Sequence, residues 1–208
     1  VSLLNKVDNV FYVMYAGGDD VFVVGPWSTV ILLAEKLQGE FRRYCCNNPN
    51  LTLSAGYVQV KSHYPVQKFA ELVDEAEKES KSRGRNRVTL FKETVLWKEE
   101  DDSYEKKNLP SYTNLNDLLS FTKELLNLID KNELSKNIVY DLGQVQRRYF
   151  IKKNGKVNPM WRPRLLYSLS RRIKGEGKQS LIQKILLILG SRTMLIPVSI
   201  ASLKLRKE

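Results

Sequence analysis

The hydrophobic period of this 208-residue chain changes once, and that change limits its fold. Up to about residue 98, short apolar runs alternate with amphipathic stretches. From Thr113 onward every pattern repeats at helical spacing. The chain therefore reads as a layered α/β part followed by an all-helical part. Residues 10–16 (Val-Phe-Tyr-Val-Met-Tyr-Ala) predict a buried strand, and Asp20 to Gly25 a second, with Gly17, Gly18 and Asp19 between them. Short Gly-containing connections favour a tight antiparallel hairpin. Pro26 opens a helix whose apolar face carries Val30, Leu33, Ala34, Leu37, Phe41 and Tyr44, and Asn47-Asn48-Pro49-Asn50 breaks it. Leu51 to Val60 predicts a strand. Pro65 starts a helix with Val66, Phe69, Ala70, Val73 and Ala76 on one face, ended by Gly84. Arg87 to Phe91 predicts a further strand, and Thr94 to Trp97 extends the sheet.

Residues 99–112 are polar and without apolar period, which marks a linker between a domain over 1–98 and one over 113–208. In the second, Thr113 or Asn114 caps a helix carrying Leu118, Leu119, Leu125, Leu126 and Ile129. Further helices are predicted over about 135–153, 159–174 and 178–205, the last interrupted near Gly190 or Pro197. Trp161, Tyr167 and the leucines beside them read as bundle core.

Composition excludes several classes. With 42% hydrophobic and 27% charged residues the chain is not globally disordered. The longest apolar run, Ile185 to Ala201, contains Arg192 and Pro197, so no transmembrane helix is expected. The two cysteines, Cys45 and Cys46, cannot build a disulfide framework or a four-ligand zinc site, and a reducing, cytoplasmic compartment fits. One histidine, His63, excludes sites that need two. The net charge of +11 is uneven: residues 142–208 hold 16 Lys/Arg and two acidic residues. Such a field attracts phosphate backbones. Basic residues alternate with aromatics there, and Arg147, Arg148, Arg162, Arg164, Arg171 and Arg172 are the candidate RNA contacts.

Gly17-Gly18-Asp19-Asp20 is the motif that carries chemistry. Glycines leave room for phosphates to approach the backbone. Neighbouring carboxylates at a turn suit a hard divalent cation that completes its shell with substrate phosphates. A solvated turn would use the same residues. A second feature is the helix end before Gly84, where Lys81 and Arg85 lie four residues apart and can share a face able to hold a triphosphate. Without the hairpin, that pair reads as an ordinary basic helix terminus.

Together these residues resemble a palm shared by diguanylate cyclases and polymerase-like CRISPR proteins. The residues that carry the resemblance are the Gly17–Asp20 hairpin, Ser54-Ala55-Gly56, and Lys81-x-x-Gly84-Arg85-Asn86-x-Val88. The cyclase ending Glu-Phe is absent. Tyr15-Ala16 before the tip, Val24-Gly25-Pro26-Trp27 after it, and Asn47 to Gly56 leading into Tyr64-Pro65 are similar to the second palm of the Cas-ten family, in its Csm-one form, the large subunit of type III CRISPR interference complexes. The helical remainder, with Trp161-Arg162-Pro163-Arg164-Leu165-Leu166-Tyr167, resembles that family's C-terminal domain. The resemblance implies a partial ferredoxin-like palm with a mixed antiparallel sheet, followed by a helical bundle. It implies an antiviral nucleotidyltransferase that joins ATP into cyclic oligoadenylates when target RNA is bound. Asp19 and Asp20 would bind Mg²⁺ or Mn²⁺, Lys81 and Arg85 the triphosphate, and Ser54 the adenine edge, with Gly17 and Gly18 beneath the nucleotide. The implied partners are crRNA, target RNA, the first palm in the rest of the large subunit, and the small helical subunit, with no membrane.

The family's palm begins with a strand and helix bearing another metal-binding Asp. Here the hairpin arrives by residue 10, and Asp8 is too close to it to substitute. The histidine-aspartate nuclease domain, first palm and zinc segment are also missing, so a fragment or half of a split subunit is expected, inactive by itself. The alternatives are a diguanylate cyclase-like domain and a non-catalytic RNA-binding assembly subunit.

Overall fold

A computed structural model describes residues 11–98, 114–150, 160–173, 177–191 and 193–206. Asp8 and the expected linker over 99–112 lie outside the described residues. The chain separates into two compact units, Val1–Arg87 and Val88–Glu208.

The first unit holds β1 (Tyr12–Gly17), β2 (Asp20–Val24), α1 (Trp27–Tyr44), β3 (Ala55–Tyr57) and α2 (Val66–Ser82). β1 and β2 pair antiparallel, with Gly17 opposite Asp20 and an irregularity between Val13 and Tyr15 that leaves Met14 without a partner residue. The connection is therefore Gly18-Asp19, and Gly18 takes a left-handed φ of 61° that costs glycine nothing. Pro26 and Pro65 stand as N-caps of α1 and α2, with fixed φ and no amide hydrogen to leave unpaired. α1 ends where Cys46 and Asn47 turn left-handed, at φ 51° and 58°. α1 buries Ile31, Leu33 and Gln38. Tyr44, expected on its apolar face, is 87% exposed, because it is the last helical residue. Val66 likewise begins α2 and is exposed. The strand expected over Leu51–Val60 shrinks to three residues. There the backbone closes onto α2: a Cβ on Gly56 would lie 2.5 Å from the Glu77 amide nitrogen and 2.6 Å from the Val73 carbonyl oxygen. The buried Ser80 hydroxyl donates to the Ala55 carbonyl at 2.8 Å and fixes the same contact. Phe22 of β2 meets Phe69 of α2, ring centroids 5.9 Å apart, and so seats the hairpin on that helix.

The second unit opens with β4 (Arg87–Leu90, the unit boundary falling after its first residue) and β5 (Glu93–Leu96). Phe91 and Lys92 join them, both left-handed at φ 52° and 71°. Thr89 and Thr94 share a hydrogen bond of 2.9 Å across this hairpin. Val88, Leu90, Val95 and Trp97 are buried. Among the described residues five helices follow: α3 (Leu115–Asp130), α4 (Lys136–Phe150), α5 (Trp161–Arg172), α6 (Lys178–Gly190) and α7 (Leu195–Leu205). Asn114 caps α3. Its Oδ1 accepts from the Asp117 amide and its Nδ2 donates to the Asp117 carboxylate, both at 2.9 Å. The interruption expected near Gly190 or Pro197 falls at Gly190; Pro197 lies in the first turn of α7, where proline is tolerated. α7 packs on α3 and α4, and a Cβ on Gly143 would sit 3.0 Å from Val198 Cγ1. The core comprises Leu118, Phe121, Leu125, Leu142, Ile185, Ile188, Leu189 and Ile196, each at most 2% exposed. Among the described residues no single helix is long and apolar enough to cross a membrane.

Candidate nucleotide site and basic helix faces

The hairpin tip lies in the first unit. Asp19 is the second residue of the two-residue connection and Asp20 the first of β2, and both are exposed. Neither forms an ion pair among the described residues. Among the described residues, no atom beyond its chain neighbours approaches within 4 Å of where a Gly18 side chain would begin, so the backbone there has room for a ligand. A Cβ on Gly17 would lie 2.9 Å from the Tyr15 hydroxyl.

Lys81 stands in the last turn of α2, its ammonium on Glu77 Oε1 at 2.7 Å. That hydrogen bond is the main influence raising the lysine above its ordinary pKa. Desolvation opposes it, the Glu77 and Asp20 carboxylates reinforce it, and the Arg85 guanidinium lowers it. Lys81 therefore lies within electrostatic reach of both Asp20 and Arg85. The pairing of Lys81 with Arg85 does not arise as expected, from a shared helix face. α2 ends at Ser82, and the chain turns through Gly84 (φ 115°), Arg85 (φ 59°) and Asn86 (φ 49°). Arg85 returns by this left-handed turn, its amide donating to the Ser80 carbonyl at 3.2 Å. Ser54 sits half-buried, one residue before β3 rather than within a strand. Among the described residues it forms no hydrogen bond with Asp19, Asp20, Lys81 or Arg85. His63 is exposed in a loop at φ 64°.

Asp19 and Asp20 offer hard oxygen donors suited to a divalent cation that shares its shell with phosphates and water. No group of three or more His, Cys, Asp or Glu side chains among the described residues could hold a metal ion alone. A bound cation there would need substrate oxygens. Glu77 is the site residue that sequence reasoning passed over; its spacing of four from Lys81 was the available signal.

The other candidates lie in the second unit. Arg147 and Arg148 are exposed in the last turn of α4, and Arg162, Arg164, Arg171 and Arg172 are exposed on α5. Arg172 is ion-paired with Asp141 of α4. On α5, Leu165 and Leu169 are buried and Trp161 is half-buried. Tyr167, expected in the core, is 66% exposed, because it falls opposite the Leu165–Leu169 stripe.

Residues 2–89 match the family model for the second palm domain of Cas10/Cmr2. The chain is 31% identical over 145 residues to the CRISPR system single-strand-specific deoxyribonuclease Cas10/Csm1 (subtype III-A) of Methanocaldococcus jannaschii. That match covers 62% of this chain and 18% of the relative. It is 29% identical over 164 residues to the protein of the same name from Streptococcus thermophilus, covering 79% and 19%. Among solved structures it resembles a chain of the Csm1-Csm4 subcomplex of the type III-A CRISPR-Csm interference complex. There the TM-score is 0.53 at 23% identity, over 90% of this chain and 26% of that one. It also resembles a chain of the Csm1-Csm4 cassette in complex with one ATP, with TM-score 0.55 at 22% identity, over 88% and 26%. At those identities the structures speak for the fold. The chain spans about a fifth of the length of these curated relatives.

Proposed function

Residues 2–89 of this chain are a second palm domain of the Cas10/Cmr2 family, in a chain of the Cas10/Csm1 type, and on that basis we propose that the Gly17–Asp20 tip is the nucleotide site of a cyclic oligoadenylate synthase. The observation that carries this reading is convergence of charge inside one unit: Asp20 and Arg85 both act on Lys81. Asp20, one of the two hairpin carboxylates, and Arg85 thus both bear on the charge of Lys81, and Phe22, two residues beyond Asp20, rests on the same helix at Phe69. The ATP bound in one structural relative supports the choice of nucleotide.

In this reading the hydroxyl of one ATP ribose attacks the α-phosphorus of a second. The new P–O bond forms as the bond to pyrophosphate breaks. Asp19 and Asp20 would hold Mg²⁺ or Mn²⁺, whose charge offsets that of the triphosphate. Lys81 leaves Glu77 for the phosphates, Arg85 holds them from the turn beyond α2, and Ser54 meets the adenine edge. Gly17 and Gly18 let the nucleotide lie against the backbone. Such chemistry rests on positioning and charge neutralisation rather than on a histidine base.

The assembly seen for the relatives, with Csm4, supports a place in a multisubunit type III complex. In it the chain would work with crRNA, target RNA, the first palm and the small helical subunit. Arg147, Arg148, Arg162, Arg164, Arg171 and Arg172 would meet RNA phosphates. The curated relatives are named as deoxyribonucleases.

The test is a reconstituted effector supplied with target RNA, ATP and Mg²⁺. Asp19→Ala/Asp20→Ala is expected to lower cyclic product by about 100-fold or more, the scale of losing transition-state charge stabilisation, while the complex still assembles by gel filtration. The 208-residue chain alone is expected to make none. Undiminished product from the double variant would refute the assignment.

A further inference from the structure

We propose that the outward face of α5 is a single-stranded nucleic-acid site, in which Tyr167 stacks on an unpaired base while Arg164 and Arg171 hold the flanking phosphates. The inference rests on the reading of RNA as a partner. It adds what phosphate contacts alone do not supply, a preference for unpaired strands.

The geometry comes from the helix period. Leu165, Leu169 and, just past the helix, Ile173 form the buried stripe of α5. Met160, Arg164, Tyr167 and Arg171, at spacings of four, three and four, form the row opposite. Met160 is 52% exposed and the other three are exposed as well. Tyr167 is 66% exposed, so an aromatic side chain stands between Arg164 and Arg171 on this row. Arg171 Nη1 donates to the Tyr167 hydroxyl at 2.8 Å, while its Cζ lies 5.4 Å from the ring centroid. The guanidinium thus lies over one face of the ring while bonding its hydroxyl, and the opposite face is the one a base would use. It orients the ring, and a base can still reach an aromatic face.

Charge selects the ligand. α5 contains no acidic residue. Arg172, on the flank, is already paired with Asp141, which leaves Arg164 and Arg171 as the cations of this row. They are about 10 Å apart along the helix axis, room for one base between two phosphate contacts. Aromatic stacking on bases is indifferent to sequence and needs the base unpaired. In duplex RNA the bases are stacked inside, out of reach.

The measurement is fluorescence anisotropy of the 208-residue chain with labelled single-stranded RNA. Duplex RNA with an equal number of phosphates is the comparison, each at several salt concentrations. Tyr167→Ala is expected to weaken single-strand binding about tenfold, within the stacking range. Duplex binding and the salt slope should stay unchanged. Tyr167→Phe, which loses the bond to Arg171 and keeps the ring, should bind within about twofold of the unaltered chain. Arg164→Gln/Arg171→Gln should flatten the salt slope for both RNAs. Equal losses on single strand and duplex in Tyr167→Ala, or no loss on either with the salt slope intact, would overturn the stacking and leave the phosphate contacts standing. Failure of the unaltered chain to bind either RNA would overturn both, and would point to an acidic protein as the occupant of this face.

Discussion

Gly56 shows how one residue governs the site at a distance. A methyl group there would collide with backbone atoms of α2, at the Glu77 nitrogen and the Val73 oxygen, and backbone cannot swing aside as a long side chain can. Gly56→Ala is therefore expected to destabilise the first unit by about 1–3 kcal/mol, the usual cost of overpacking. The check is the urea midpoint of the variant against that of the unaltered chain; an unchanged midpoint would show that α2 yields freely. The displaced strand would also strain the Ser80–Ala55 hydrogen bond, one residue before Lys81. At this scale the sequence was partly legible. Asp19 and Asp20 stood out because glycine and acid between two apolar runs is a local pattern. Arg85 was chosen for a helical spacing it does not have, and it reaches Lys81 through a left-handed turn that no periodicity encodes. The closeness of Asp20 to Lys81 is tertiary, and spacing along the chain carries no trace of it.

Among the elements, α3 has the most self-sufficient beginning. Asn114 and Asp117 exchange two hydrogen bonds at its first turn, and the Asp117 charge lies at the positive end of the helix dipole. Asn114→Ala is expected to cost about 1 kcal/mol, read as a lower thermal midpoint of the helical unit; a shift of less than a degree would mean that packing alone sets this terminus. Helix starts were readable here and at Pro26 and Pro65, because caps and prolines act within one turn. Strand lengths were less so. The run from Leu51 to Val60 is apolar enough for a long strand, yet only Ala55–Tyr57 pairs, since strand extent depends on a neighbour. Tyr167 was misplaced for a related reason: an aromatic at helical spacing reads as core until the buried stripe, Leu165 and Leu169, is known.

Over the whole molecule, burial is divided unequally. Ile31 and Leu33 are the only buried apolar residues of the first unit among the described residues, and all the others belong to the second. Stability within a chain follows such differences in buried contact. Native-state hydrogen exchange should therefore show the amides of α1 and α2 exchanging at least about tenfold faster than those of α3, α6 and α7. Equal protection would mean that the two units open together. The hairpin adds a further consequence. Tyr12, Met14, Tyr15, Val21 and Val24 all stand more than a third exposed on a two-stranded ribbon, and Asp20 is the only charged residue of its two strands. A greasy ribbon with so little charge along its strands invites strands from other molecules. In a concentrated preparation, cloudiness and loss of material would begin along the very strands that hold up the two carboxylates.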